Sequence, residues 1–175
     1  FLSKESDISI PRTSIDTMRG NPIDPLQYKY SKNNTPIITA IKEIVAKRIQ
    51  PLVNLKLSFV EDPKDSVVRI DFDSDGGAWS MVGTDSVNQT DHTKATMNLG
   101  WFDVGTVLHE FGHVLGMIHE HQNPKGKTIP WNVKAVDDWA KNTQGWDSQT
   151  TYKNIIQKYS ISSINGSEFD PKSIM

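Results

Sequence analysis

Four of the five histidines in this chain, His109, His113, His119 and His121, fall inside the stretch VLHEFGHVLGMIHEH at 107–121. His109 and His113 are four residues apart, which on a helix puts them one turn apart on the same face. Two imidazoles so placed can both reach a zinc ion at the ~2.0–2.1 Å that a Zn–N bond requires. Glu110 points about a quarter turn away, so it can flank a water instead of ligating the ion. A tetrahedral catalytic site needs a third protein ligand and one open position. A straight helix cannot readily supply that ligand, because residues further along climb away from the ion. Gly116 tolerates the left-handed conformation that ends a helix, so the chain can fold back and bring His119 to the metal. The pattern H-E-x-x-H-x-x-G-x-x-H is complete. A lone histidine on a helix is ordinarily structural, and H-E-x-x-H alone arises by chance; the glycine and third histidine in register favour the metal. His121 is not needed as a ligand and reads as a surface residue or a buttress to one, while His92, in the polar stretch TDHTKA, reads as solvated.

These residues need elements to hold them. Val104, Val107, Leu108, Phe111, Val114 and Leu115 recur at helical spacing, which predicts a core-facing helix over 103–116. A second helix is expected from Thr35, a capping residue followed by Pro36, with Ile37, Ile38, Ile41, Ile44, Val45 and Ile49 on one face until Pro51 breaks it. Strands are expected at Leu55–Phe59, Val68–Phe72, Ala78–Gly83 and Ala95–Leu99, where apolar and polar residues alternate. Helical segments near Val133–Lys141 and Thr151–Tyr159 follow, separated by polar loops. The order predicts an α+β fold with a mixed sheet. Residues 1–26, rich in Ser, Asp, Pro and Thr without periodicity, read as an extended arm.

The bulk numbers narrow the function. A chain of 175 residues can bury a real core as one domain. A net charge of -2 carries no basic footprint, so nucleic acid is not an expected partner. No apolar run approaches the ~18 residues of a membrane span. The absence of cysteine removes disulfides, thiolate zinc sites and a thiol nucleophile. It suits the cytosol and a secreted protein alike, and secretion is the expectation taken forward. The chain begins at Phe1 with nothing near it that resembles a signal peptide. A monomer acting on protein or peptide is expected.

Together the motif residues resemble the metzincin metallopeptidases, and Glu120 directly after the third histidine resembles the astacin-like branch. Ala78–Gly83 is similar to that family's W-S-x-V-G segment. Phe169–Met175 resembles the approach to its Met-turn, with Met175 as the methionine under the zinc. The resemblance implies a metzincin-like catalytic domain at 27–175: a mixed twisted sheet and active-site helix in 27–119, then a mostly helical or irregular subdomain at 120–175. It implies a zinc endopeptidase in which His109, His113 and His119 hold the metal, Glu110 is the general base, and Gly116, Glu120 and Met175 support the site. It also implies that the strand around Met97 is an antiparallel edge along which substrate lies extended. The family's zinc-binding tyrosine would fall two residues past Met175. An arginine that favours acidic side chains in the substrate has Asn123 in its place, so that preference is not carried over. A zinc-bound peptide-binding module with little or no peptidase activity stands as the alternative.

Other signals are weaker. Asp71-x-Asp73-x-Asp75-Gly76 begins like a calcium loop, but its twelfth position is Val82 where a bidentate glutamate belongs, so a tight acidic turn is expected. Met18–Asn21 faintly resembles an inhibitory pro-segment with Asn21 in place of its aspartate, and reads as an ordinary turn. Asn33, Asn88 and Asn165 head N-x-[ST] sequons, informative only in a secreted eukaryotic protein. The five tryptophans are expected in the core and the cleft wall.

Overall fold

The computed structural model of the chain describes residues 35–175 and, ahead of them, the backbone of three short strands, β1 (Ile8–Pro11), β2 (Pro22–Ile23) and β3 (Tyr28–Lys29). The turn expected at Met18–Asn21 and the sequon at Asn33 lie outside the described residues. The chain divides into two units, Phe1–Met117 and Ile118–Met175.

In the first unit, α1 (Thr35–Ile44) runs on through a π turn at Val45–Ile49 and a 3₁₀ turn at Gln50–Leu52. Ile37, Ile41, Val45 and Ile49 are all buried. Their strict spacing of four outruns the 3.6 residues of an α turn, and the wider π turn keeps Ile49 on the buried side. The Gln50 side chain then ties the helix end to β4 (Leu57–Val60): its amide donates to Leu55 O at 2.6 Å, and its carbonyl accepts from Leu57 N at 2.9 Å. β4 pairs parallel with β1, Ile8 opposite Leu57, and β2 pairs antiparallel with β3.

The sheet nearest the histidine helix has three strands, β5 (Ile70–Asp71), β6 (Ala78–Ser80) and β7 (Met97–Leu99), in the order β5-β7-β6. β7 runs parallel to β5 and antiparallel to β6. It is therefore the central strand, and the edge expected around Met97 is elsewhere. Met97 and Leu99 are fully buried, and so are Thr96 and Asn98 between and beside them. A strand flanked on both sides has no main-chain groups left for a substrate, so Met97 is a core residue and not a substrate-binding one. The edges are β5 and β6, the latter the W-S segment.

Two further placements are set by tertiary contacts. Arg69 falls on the polar side of an alternating strand, yet it is buried beside Val68 and Ile70. Its guanidinium donates to Lys94 O at 2.7 Å, Gln89 O at 2.9 Å and Ser66 O at 3.2 Å, filling carbonyls that would otherwise lack donors. None of the five tryptophans joins the core: Trp79, Trp101 and Trp139 are exposed, and Trp131 and Trp146 are half-buried. The core consists instead of the α1 and π-turn residues with Val68, Ile70, Phe72, Met97, Leu99, Phe102, Val107, Phe111 and Val114.

The acidic stretch forms the tight turn expected of it. Asp73 caps a 3₁₀ turn at Ser74–Gly76, its carboxylate accepting from Asp75 N at 3.0 Å. Buried Asn98 secures that turn, donating to Asp73 O and Gly77 O and accepting from Asp73 N. After β6 comes the short α2 (Asp85–Asn88), and after β7 the histidine helix, α3 (Val104–Val114).

The second unit is built differently. The 3₁₀ turn Glu120–Gln122 leads through a loop to α4 (Val133–Gln144), capped by Asn132 and ended by Gly145 at φ 67°. α5 (Ser148–Thr151), capped by Asp147, continues in a π turn at Tyr152–Ile156. The mixed sheet and separate helices make this an α+β fold.

Candidate metal centre

The helix that carries the motif, α3, starts where Asp103 accepts the Thr106 N–H at 2.9 Å, with a second, short hydrogen bond from the Thr106 hydroxyl. The cap satisfies a donor that the first turn leaves open. Val107, Phe111 and Val114 face the core, and that anchoring fixes the rotation of the helix. It sets His109 and His113 side by side, ring centroids 4.8 Å apart and planes nearly perpendicular at 87°.

The helix ends as the glycine requires. Gly116 adopts φ 89°, in the left-handed region. Its N–H bonds His113 O at 2.8 Å, and the Met117 N–H reaches back to Gly112 O at 2.9 Å. This pair of bonds is the Schellman closure, which turns the chain back on itself. His119 follows in extended conformation, φ -63° and ψ 132°. The ligand atoms of His109, His113 and His119 all lie within 4.8 Å of one another. A tetrahedral ion with bonds of about 2.1 Å places its ligand nitrogens about 3.4 Å apart.

The surroundings also suit a metal. The carbonyl of Met117 lies 2.8 Å from His113 Nδ1. A carbonyl only accepts, so Nδ1 carries the proton and Nε2 is left as the ligand atom, the usual arrangement behind a ligating histidine. Burial lowers the pKa of His113, against the Met117 hydrogen bond that raises it, which favours the neutral ring that a metal needs. Glu110 is buried at 4% exposure, and its Oε2 has no hydrogen-bond partner. Desolvation pushes its pKa up to about 7. A dication nearby acts with the opposite sign and favours the carboxylate.

The other expected residues are placed as follows. Glu120 donates its backbone N–H to Met175 O at 2.8 Å, and its Oε1 accepts from Asn123 Nδ2 at 2.8 Å and Asp170 N at 3.0 Å. Glu120 thereby ties the turn after His119 to the segment that ends at Met175. Met175 is half-buried, and its N–H is received by the Ser173 hydroxyl at 3.1 Å. His121 stacks on His119 with ring centroids 5.2 Å apart and meets Trp131 edge-on at 6.0 Å, so it buttresses a candidate ligand. His92 is exposed, its Nδ1 3.2 Å from Pro63 O. The sequence reading passed over one residue. Gly83, at φ 53°, donates to His113 O at 2.8 Å, and a Cβ there would meet Gly116 Cα at 3.3 Å. The glycine of the W-S-x-V-G segment thus closes that segment against the helix end, a close approach its presence after a strand could have signalled.

Residues 22–171 match the family model described as Astacin, a peptidase family. The zinc metalloproteinase nas-24 of Caenorhabditis elegans is 30% identical over 131 residues, which are 73% of this chain and 31% of that protein. The chain thus spans about a third of that relative's length. Two solved structures of myroilysin are similar. One has a TM-score of 0.73 at 28% identity, covering 97% of this chain and 76% of that one. The other has a TM-score of 0.59 at 25% identity, covering 97% and 67%. On this match the chain belongs to the astacin family of metallopeptidases, whose cofactor is zinc, and His109, His113 and His119 form the group able to hold it.

Proposed function

We propose that the chain is the catalytic part of a zinc-dependent endopeptidase in which Glu110 serves as general base. The observation that carries this reading is the pairing of a three-imidazole cluster with a buried carboxylate, next in sequence to His109, whose Oε2 has no partner in the protein. Such an oxygen is positioned to receive a proton from a water. Zinc, when bound, supplies Lewis acidity toward that water and the scissile carbonyl. Glu110 takes the water's proton during attack and later hands it to the leaving amine. Burial favours the neutral ring of His113, and the hydrogen bond to Met117 O orients it. Substrate is read by its main chain along β6, whose outer edge is unpaired among the described residues, in the manner of strand addition. Ala78 and Ser80 are half-buried on that strand, and Trp79 is exposed.

The test separates metal binding from chemistry. Glu110→Ala should keep zinc and fold but lose about 10²–10⁴-fold in peptide turnover, the usual worth of general-base assistance. His119→Ala should instead lose zinc, because two imidazoles make a poor site. Zinc content and hydrolysis of a peptide library are measured on both variants, with and without chelator. Wild-type turnover in Glu110→Ala would remove the base from its role. A parent chain that binds zinc and cleaves nothing would be a peptide-binding module.

A further inference from the structure

Behind His119 lies a loop whose main-chain carbonyls converge on a single cation supplied by the protein. Lys158 Nζ donates to Gly126 O at 2.6 Å, Lys127 O at 3.0 Å and Asn123 O at 3.1 Å. An ammonium has three N–H groups, and each has found a carbonyl. Without the charge, three carbonyl dipoles aimed at one point would repel one another and open the loop. The far side offers no room to relax, because a Cβ on Gly126 would already lie 2.6 Å from Phe169 Cδ2.

The loop connects directly to the third histidine. Asn123, the first carbonyl of the cage, donates its side-chain amide to Glu120 Oε1, and its own N–H bonds Glu120 O at 3.0 Å. Glu120 holds Met175 O, and the Gln122 N–H bonds His119 O at 3.0 Å. Tyr159, next to the lysine, donates its N–H to Gln122 O at 3.0 Å. Neither end of the 119–127 segment can shift without breaking a bond that leads back to Lys158.

We infer that Lys158 is a positioning residue for the metal centre, a half-buried cation that closes the 123–127 carbonyl cage and so fixes His119. This rests on the zinc reading above. With all three donors engaged, the ammonium is occupied structurally and makes no contact with substrate.

The experiment is done on the full chain. Lys158→Met keeps the apolar stem and removes the charge. Zinc affinity, measured by competition with a chromophoric chelator, should fall about 10–100-fold, the usual effect of losing a group that orients a ligand. The d–d absorption of the cobalt(II)-substituted protein should change shape. Lys134→Met, which removes an exposed lysine paired with Asp138 on α4, should alter neither. In Lys158→Ala, propylammonium should restore affinity while the neutral 1-propanol does not. If Lys158→Met fails to fold, Lys158→Arg carries the test. Its planar fork cannot aim three N–H groups at one convergent set of carbonyls, so several-fold weaker zinc binding is expected. Wild-type affinity with an unchanged cobalt spectrum in the folded Lys158 variant overturns the inference, as does equal rescue by the alcohol. Absence of zinc from the unaltered chain would instead overturn the zinc reading, and this inference with it.

Discussion

The two units are stabilised by different physics. In the first, the buried side chains are mainly apolar: the isoleucines of α1, Val68, Ile70 and Phe72, Met97 and Leu99, Phe102, and the core face of α3. In the second, Ala140 is the one buried apolar residue among those described, and Gln122, Asn123 and Thr151 are buried with it. Gln122 donates to Lys153 O at 3.0 Å and Gln157 O at 2.9 Å, and Thr151 donates its hydroxyl to Asp147 O at 2.9 Å. Apolar burial is non-directional and scales with area. A polar interior is directional, and each broken bond leaves a costly unsatisfied group. The first unit therefore supplies the rigid platform for His109, His113 and Glu110. The second holds His119 through a network in which single atoms matter.

The comparison can be broken most sharply at Phe111, which is fully buried. Phe111→Ala should destabilise by about 3–5 kcal/mol, the range for truncating a core phenylalanine. Denaturant unfolding would show it, and a loss near zero would mean that the platform is not an apolar core. A smaller effect is expected at Gln122. Gln122→Leu matches its size but leaves the carbonyls of Lys153 and Gln157 without that donor, costing about 1–3 kcal/mol. Amide exchange should quicken within 118–175 and stay unchanged within 35–117. Uniform quickening in both would show that the polar interior is no separate determinant.

Gly116→Ala comes next. A Cβ there would meet no atom within 4 Å, so the cost is backbone strain at φ 89° alone, about 1–2 kcal/mol. Zinc affinity should fall although no ligand is touched, and unchanged affinity would refute the role of the turn. The smallest effect is expected at the exposed pair Lys47–Glu43 on the first unit, 2.9 Å apart at i,i+4 spacing. Glu43→Gln should change stability by no more than about 0.5 kcal/mol. A larger loss there would undercut the distinction, since it would give a solvated polar contact the weight assigned to buried ones.

The sequence alone determined whatever depends on neighbours a few residues apart. His109 and His113 share a face because they are four apart, and Gly116 folds the chain back because glycine tolerates the left-handed conformation that can end a helix. These are consequences of helical geometry and local hydrogen bonding, and the turn at Asp73–Gly76 was legible for the same reason. What the tertiary structure decided is partnership across distance. Alternation at Ala95–Leu99 marks a strand but carries nothing about its neighbours, so it could not tell that β5 and β6 flank Met97 and take the two edges. Charge alone would send Arg69 and Lys158 to solvent. Each is instead drawn inward by carbonyls that its own segment does not contain: for Arg69, those of Ser66, Gln89 and Lys94; for Lys158, those of Asn123, Gly126 and Lys127. Which carbonyls lack a donor is settled only once the whole backbone is folded, and a cation able to satisfy them is then held there, Arg69 buried and Lys158 half-buried.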